Sequence, residues 1–200
     1  MHSPHIPQST QQSYLNVNKK VTALSAANLE PHSDTTTLLI GSSSSFQAYH
    51  VHTNSDLFYI SVPGGVHSIL PTTSAVDCGW PTLLAGGQGT VAGYSAAGEV
   101  QLRLTIGDTA TALALVDIDG DGRLQLVVGS SEGYLRVYRG TTLMEEVGSV
   151  HQRPLQQETQ VEHPQIKEAD CVVALAPLGG AAFGYGLANG TTGARCPSRV

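Results

Sequence analysis

The sequence predicts an all-β chain that forms part of a β-propeller, with about three and a half four-stranded blades. Three observations support this fold class. A short apolar segment closed by glycine recurs about every 45 residues, apolar and polar residues alternate as they do in strands, and helical periodicity is hardly visible. The composition agrees, because 22 glycines and 10 prolines with only 13% charged residues suit many short strands joined by tight turns.

The repeated segment is an apolar triplet followed by glycine, and its three copies end at Gly41, Gly86 and Gly129. The glycines are 45 and 43 residues apart, which lies in the range of propeller blades. Apolar residues recur five and eight positions after each glycine, and four segments open alike, so we expect at least three whole blades. The apolar residues are Phe46 and Tyr49, Val91 and Tyr94, and Tyr134 and Val137, and the openings are Val21–Leu24, His67–Leu70, Ala112–Leu115 and Val172–Leu175.

Each unit contains strand patterns separated by turn signals. Gln101–Ile106 alternates apolar and polar residues, as an outer strand with one polar face does. Ser42–Ser45, Gly87–Gly89 and Ser130–Gly133 stand where hairpins must reverse. Aromatic residues recur with the repeat, so we expect core packing between blades rather than a ligand cage. These aromatic residues are Phe46, Tyr49, Phe58, Tyr59 and Tyr94.

The predicted propeller region spans residues 14–193, flanked by two segments without strand character. Residues 1–13 are polar and are expected to be disordered, and residues 194–200 are predicted to be an irregular tail. The segment 150–170, rich in Gln, Glu, His and Pro, predicts an exposed insertion loop. The predicted blades cover about residues 21–62, 67–106, 110–149 and 171–193.

An array of three and a half blades leaves two open ends. Closed propellers usually contain four to eight blades, because each sheet buries its faces only against neighbouring sheets. Exposed blade faces and unpaired strand edges attract partners or aggregate. The sequence therefore predicts either a truncated chain or an arc that other polypeptide completes.

Charge and cysteine content argue against several classes of function. The formal net charge is −6, and the ten Lys and Arg form no basic stripe, so nucleic acid is not an expected partner. No apolar run is long enough to span a bilayer, and the N-terminus lacks the apolar core of a signal peptide. Cys78, Cys171 and Cys196 are odd in number and widely spaced, which favours a reducing cytosol, with the first two as small buried hydrophobes.

The sharpest local motif places Asp117, Asp119 and Asp121 at alternate positions, with a glycine after each of the last two. An oxygen-ligand Ca²⁺ site requires such carboxylates on a tight loop, and the motif resembles the calcium loops of integrin-type propellers. An EF-hand is excluded because its twelfth position is Val128, and the neutral Gln125 at the ninth position should weaken Ca²⁺ binding. The alternative is an Asp/Gly β-turn whose carboxylates accept backbone N–H bonds.

Three other motifs are better explained by turns and strands than by chemistry. Gly129–Gly133 matches the nucleophile elbow Gly-x-Ser-x-Gly, but a strand pattern follows where that elbow needs a helix. Gly86–Gly89 is similar to a phosphate-binding loop, but it lacks the following Lys-Ser or Lys-Thr and the helix. His50 and His52 would share a strand face without a predictable third metal ligand, so we expect them to face solvent.

Four groups of residues occur in a distinctive order: Leu15–Asn18, Asn54–Tyr59, Asp117–Gly122 with Leu126–Ser130, and Phe183–Tyr185 with Asn189–Thr191. Together they resemble the propeller of the Bardet-Biedl syndrome 2 protein family over about residues 14–193. Each motif alone is weak, whereas the ordered set with its similar spacing is specific enough to identify a family.

The resemblance implies membership of the BBSome, a multi-subunit coat that carries membrane proteins into and out of cilia together with intraflagellar transport. It implies a non-catalytic scaffold without a cofactor. The implied partners are other BBSome subunits, especially the related propeller subunits, and indirectly ciliary membrane-protein cargo. The implied locations are the cytoplasm, the cilium, the ciliary membrane as a peripheral protein, and the basal body and centriolar satellite region.

Two other classes of function are alternatives. A calcium-dependent propeller of the integrin or lectin kind would bind extracellular protein or sugar ligands. It predicts acidic loops at the blade period, but the turns near Ser42 and Gly87 contain no Asp cluster. A propeller enzyme would need His, Asp or Glu side chains that converge at one end of the propeller.

Overall fold

In the computed structural model of this chain, all regular structure of the described residues is β-strand, in agreement with the predicted class. Neighbouring strands within each sheet pair antiparallel, and the sheets follow one another along the chain. Among the described residues, no helix has the length and apolar character needed to cross a membrane. The structure describes residues 14–29, 35–72, 79–144 and 166–196.

Some predictions fall outside those ranges. The predicted disordered stretch 1–13, Cys78 and most of the predicted insertion 150–170 lie among residues that the structure does not describe. Of the other two cysteines, Cys171 is partly buried and Cys196 is exposed, and both are free thiols.

The first sheet has four strands in chain order, and both faces of its second and third strands are largely buried. The turn between its third and fourth strands contains Asn54 with φ of 53°, a left-handed conformation that asparagine tolerates better than most residues. The strands are β1 (Val21–Ala27), β2 (Thr37–Ser42), β3 (Ser45–His50) and β4 (Ser55–Ser61).

The second and third sheets are joined through one long strand, β8 (Val100–Val116). Its first part pairs with the strand before it as the outer strand of the second blade. From Ala110 onward it pairs with the next strand, as the first strand of the third blade. The other strands of these two sheets are β5 (Ser68–Pro71), β6 (Leu83–Gly86), β7 (Gln88–Tyr94), β9 (Gln125–Ser130), β10 (Tyr134–Arg139), β11 (Thr142–Leu143) and β12 (Ile166–Lys167).

The outer strand of the third blade consists of two short pieces. Both β11 and β12 pair antiparallel with β10, at opposite ends of that strand. The prediction that residues 150–170 are entirely an insertion loop is therefore wrong at 166–167. A two-residue strand carries too little alternation to be recognised without its partner.

The fourth sheet has three strands, in the order β13-β14-β15. The predicted irregular tail 194–200 is wrong at its beginning, because Ala194 and Arg195 pair with Gly184 and Phe183. These pairs are backbone hydrogen bonds, so they form without the apolar alternation that the prediction required. The strands are β13 (Val172–Gly179), β14 (Ala182–Leu187) and β15 (Thr192–Arg195).

The core lies between successive sheets, as three clusters of buried apolar side chains. Within β6, Leu83 and Ala85 face the first sheet, whereas Leu84 faces the third. A strand buried on both faces needs apolar residues at every position, and this explains the apolar triplets of the repeat. The first strands of neighbouring sheets also contact each other, as inner blade strands do.

Two predicted repeat positions are wrong in the third blade. Phe46 pairs with Gly41 and Val91 with Gly86, five residues after each glycine, but Gly129 pairs with Leu135, six residues later. The hairpin of the third blade is one residue longer. Leu135 and Tyr138 are therefore buried in the positions predicted for Tyr134 and Val137.

The aromatic residues of the first two blades form a packed group. The ring of Phe46 lies 5.4 Å from that of Phe58 and 5.4 Å from that of Tyr94, so it bridges the two sheets. Tyr59 departs from the prediction, since it is 52% exposed on the outer strand and its hydroxyl accepts a hydrogen bond from Lys19 at 2.8 Å. That hydrogen bond lowers the pKa of the Tyr59 hydroxyl.

Candidate interaction surfaces and the acidic turn

The glycine that closes each apolar triplet marks the closest approach of the next blade. We call Gly41, Gly86 and Gly129 the glycine seats, and the residues that rest on them, Val66, Ala110 and Val172, the knobs. A side chain at any seat would collide with its knob, because real Cβ atoms essentially never approach another heavy atom within 3.0 Å. A Cβ atom would lie 2.7 Å from Cγ1 of Val66 at Gly41, 2.7 Å from Cβ of Ala110 at Gly86, and 2.5 Å from Cγ1 of Val172 at Gly129.

In each of the first three blades, a side-chain hydroxyl from the first strand lies beside the seat. Each hydroxyl donates to the backbone carbonyl of the knob, which satisfies that carbonyl at a buried blade junction. Sequence analysis missed this role, although Thr22 and Ser68 both stand second in the predicted openings. The donors are Thr22 to Val66, Ser68 to Ala110 at 3.0 Å, and Thr111 to Val172.

The fourth blade has an equivalent glycine, Gly186, but no described residue rests on it. Ala174 pairs with Gly186 as Ala23 pairs with Gly41 in the first blade. Within the described part of the chain, a Cβ atom at Gly186 would come no closer than 3.7 Å to any atom, namely Cβ of Ala174. The position of the hydroxyl donor is occupied by Val173, which is 51% exposed. Among the described residues, no knob therefore rests on Gly186.

The first sheet presents the opposite half of the same junction. Leu24 pairs with Ile40 as Leu113 pairs with Val128, yet Leu24 is 64% exposed and Leu113 only 8%. Val21, in the knob position of the first blade, is 45% exposed. We call the surface formed by Val21 and Leu24 the leading face, and the surface of the last sheet formed by Val173, Leu178, Gly184 and Gly186 the trailing face.

The three aspartates of the acidic motif converge on the turn between β8 and β9. One carboxylate oxygen of each lies within 4.8 Å of the others. Asp117 accepts the N–H groups of Gly120 at 2.8 Å and Gly122 at 3.0 Å, and Asp121 accepts that of Arg123 at 2.8 Å. Backbone N–H groups thus hold two of the three carboxylates, as the turn interpretation expects.

The third carboxylate, Asp119, is held by side chains. Gln125 is fully buried, and its Nε2 donates to Oδ1 of Asp119 at 3.1 Å while its Oε1 accepts the N–H of Ile118 at 2.7 Å. The guanidinium of Arg139, on β10, forms an ion pair with Oδ2 of Asp119. These contacts support the turn interpretation, and Ca²⁺ binding by this group stays an untested alternative.

A buried ion pair at the junction of the second and third blades escaped sequence analysis. Nη1 of Arg136 lies 2.8 Å from Oδ1 of Asp108, and both side chains are 7% exposed. The guanidinium also stacks over the ring of Tyr134, 4.7 Å from its centroid. Since the partners are 28 residues apart on different strands, nothing in the local sequence indicates their contact.

The discarded motifs take ordinary structural roles. Ser131, the serine of the Gly-x-Ser-x-Gly pattern, lies in the turn between β9 and β10, so a strand follows it where a nucleophile elbow needs a helix. The expectation that His50 faces solvent is wrong, because it is the last residue of β3 and is covered between two strands, whereas His52 is exposed. Over the described ranges, the three aspartates are the only such group of three or more potential metal ligands.

Repeated antiparallel sheets that bury their faces against one another define a β-propeller-type blade array. Solved structures agree on the fold. The chain superposes on the Neurospora crassa Pan2 WD40 domain with a TM-score of 0.62 and 12% identity, over 90% of this chain and 47% of that one. It superposes on BBS1N, solved in complex with ARL6DN, with a TM-score of 0.57 and 12% identity, over 86% and 50%.

Sequence comparison finds similarity to one family. The family described as ciliary BBSome complex subunit 2, N-terminal, matches residues 2–72. BBSome complex member BBS2 is 32% identical in Rattus norvegicus over 96% of this chain, and 33% identical in Mus musculus over 94%. The chain is therefore similar to BBS2 over nearly all of its own length. It spans about a quarter of the length of these relatives, 26% and 23% respectively.

Proposed function

We propose that this chain is a non-catalytic scaffold module of a BBSome-type coat that serves ciliary membrane-protein trafficking and cilium assembly. The observation that carries the proposal is the similarity to BBSome complex member BBS2 over 96% of this chain, together with a described structure made of successive antiparallel sheets. Sheets of this kind serve as rigid frames for protein-binding surfaces.

The character of the surface supports a role without catalysis. A cleft of about 310 Å³ beside Trp80 is lined by Gly79, Pro81, Gln101, Leu102 and Gly140, and none of these side chains titrates. The carboxylates of the acidic turn are engaged by backbone N–H groups, an amide and a guanidinium. Neither place offers the nucleophile and base that a propeller enzyme would require.

The proposed partners are other BBSome subunits, especially those with related propellers, and ciliary membrane-protein cargo through the assembled coat. The proposed locations are the cytoplasm, the cilium with peripheral attachment to its membrane, and the basal body and centriolar satellite region. The similarity to BBSome complex member BBS2 supports these assignments.

Co-purification tests the proposal. The tagged gene product is expressed in ciliated cells and recovered by its tag, and BBSome subunits are identified by mass spectrometry. We expect Gly86→Asn to abolish their recovery, because a side chain at this seat collides with Ala110. Gly140→Asn is the matched control, since Gly140 has φ of 59° with nothing near its Cβ position, and asparagine tolerates that conformation.

We expect BBSome subunits to be recovered with the unmodified protein and with Gly140→Asn, but not with Gly86→Asn. If the unmodified protein is recovered folded and in good yield without any BBSome subunit, the scaffold assignment is wrong.

A further inference from the structure

We propose that residues 167–170 act as a strap that holds the fourth blade on the third, and that removing the charge of Lys167 or Glu168 releases that blade. This inference goes beyond the proposed function and does not depend on it. The strap runs from the last residue of β12 to Asp170, two residues before β13 begins. It therefore lies at an internal junction of the array.

The backbone of the strap lies against the hairpin between β9 and β10 in the third blade. The N–H of Glu168 donates to the carbonyl of Gly133 at 2.7 Å. Only glycine permits this approach, because a Cβ atom at Gly133 would lie 2.7 Å from the carbonyl oxygen of Asp170 and 2.8 Å from that of Glu168. The φ of 81° at Gly133 is also one that glycine adopts without strain. Strap and hairpin are therefore in direct backbone contact.

Lys167 adds a charged contact to the same hairpin. Its ammonium donates to the backbone carbonyl of Glu132 and lies 4.1 Å from the centroid of the Tyr134 ring. The same ring contacts the guanidinium of Arg136, whose ion pair with Asp108 is buried. The attraction between an ammonium and an aromatic ring requires the positive charge. Neutralising Lys167 therefore loosens the strap on the third blade.

Glu168 connects the strap to the fourth blade. Its Oε1 lies 2.8 Å from Nη2 of Arg195, on β15. The side chain of Glu168 is only 14% exposed, so salt and water screen this pair less than a fully exposed one. The hydrogen bond to Glu168 raises the pKa of the Arg195 guanidinium, which therefore stays charged. One residue thus contacts the third blade through its N–H group and the fourth blade through its carboxylate.

The strap leads directly into the knob of this junction. Val172 rests on the seat Gly129, and its carbonyl accepts a hydrogen bond from the hydroxyl of Thr111. The carboxylate of Asp170 accepts the N–H of Cys171 at 2.7 Å, which fixes the backbone just before the knob. Proteins open locally in cooperative units at a lower free energy than global unfolding. Release of the strap should therefore free the knob and open the fourth blade while the other blades stay folded.

Hydrogen exchange of the backbone amides of the purified 200-residue chain, resolved by NMR, tests the proposal. We expect Lys167→Gln and Glu168→Gln each to speed exchange in β13 and β14 by about fivefold or more, because each removes one charged contact of the strap. Exchange in β2 and β3 should stay unchanged. Lys20→Gln is the matched control, since Lys20 is also an exposed lysine but lies immediately before β1. It should leave exchange in β13 and β14 unchanged.

A further variant tests the pair that joins the strap to the fourth blade. Arg195→Met removes the charged partner of Glu168, so combining it with Glu168→Gln should speed exchange no further than either change alone. Additive effects of these two changes would overturn the role of the pair. Unchanged exchange of the fourth blade in Lys167→Gln and Glu168→Gln would overturn the proposal. Exchange that rises equally in every sheet would overturn it as well, because that result describes global destabilisation and not the release of one blade.

Discussion

Replacing Gly86 with alanine should destabilise the chain, whereas the same change at Gly186 should not. At Gly86 the new methyl group would lie 2.7 Å from Cβ of Ala110 and 3.0 Å from its carbonyl oxygen, and neither atom can rotate away. Overpacking of a tight core costs about 1–3 kcal/mol. At Gly186 the nearest atom is 3.7 Å away, which is ordinary contact.

Both substitutions also restrict the unfolded chain, which stabilises the folded state by about 0.4–1 kcal/mol where alanine fits without strain. The comparison of the two variants therefore isolates the collision at the seat. Urea unfolding followed by circular dichroism measures both free energies. Since about 1 kcal/mol shifts the melting temperature of a domain of this size by roughly 2–4 °C, Gly86→Ala should melt about 2–12 °C below Gly186→Ala. Equal stability of the two variants would refute the role of the seat.

Three further predictions follow from contacts inside the blades. Arg136→Leu should lower the free energy of unfolding by about 3–5 kcal/mol, because it strands the buried Asp108 carboxylate, and adding Asp108→Leu should restore much of the loss in urea unfolding. Isothermal titration with Ca²⁺ should give no saturable heat, since protein groups already bind the carboxylates of the acidic turn. Saturable heat that is lost in Asp119→Ala would establish a Ca²⁺ site instead. Burial raises the pKa of the Tyr94 and Tyr138 hydroxyls above the usual 10.0. The unfolded state therefore releases these protons first, and the free energy of unfolding should fall as the pH rises beyond that value. A urea midpoint that is unchanged between about pH 9 and about pH 11 contradicts this.

The blade repeat was predictable because burial on both faces leaves a dense local signal. Leu83, Leu84 and Ala85 are each buried, so every position of the triplet is apolar. The next position must be glycine for a different reason, which is the knob from the following blade. The spacing of these glycines is visible in the sequence. Their role as seats depends on contact with a residue about 25 to 45 positions further along the chain, which no local pattern indicates.

The errors arose where structure depends on distant partners. One extra residue in the hairpin before Tyr134 shifts the burial of the next strand by one position, and such a shift moves side chains to the opposite face of a sheet. Ile166 becomes a strand residue only through pairing with Leu135. The ion pair of Arg136 likewise joins segments that show no common pattern in the sequence.

The acidic turn was predicted in place but not in detail. Alternating Asp and Gly residues correctly indicated a turn, with φ of 72° at Gly120 and 82° at Gly122. The position of Gln125 was noted only as a weak metal ligand. Gln125 is in fact buried and donates a hydrogen bond to Asp119, so it stabilises the turn, which its polar character did not suggest.

The most direct test of the blade array is a nuclear Overhauser measurement on the labelled chain. The account predicts cross-peaks between the α-protons of Gly41 and the methyl groups of Val66, and between those of Gly129 and the methyl groups of Val172. These pairs are far apart in sequence and meet only if each blade rests on the seat of the one before. Absence of both sets of cross-peaks in the folded protein would contradict the account.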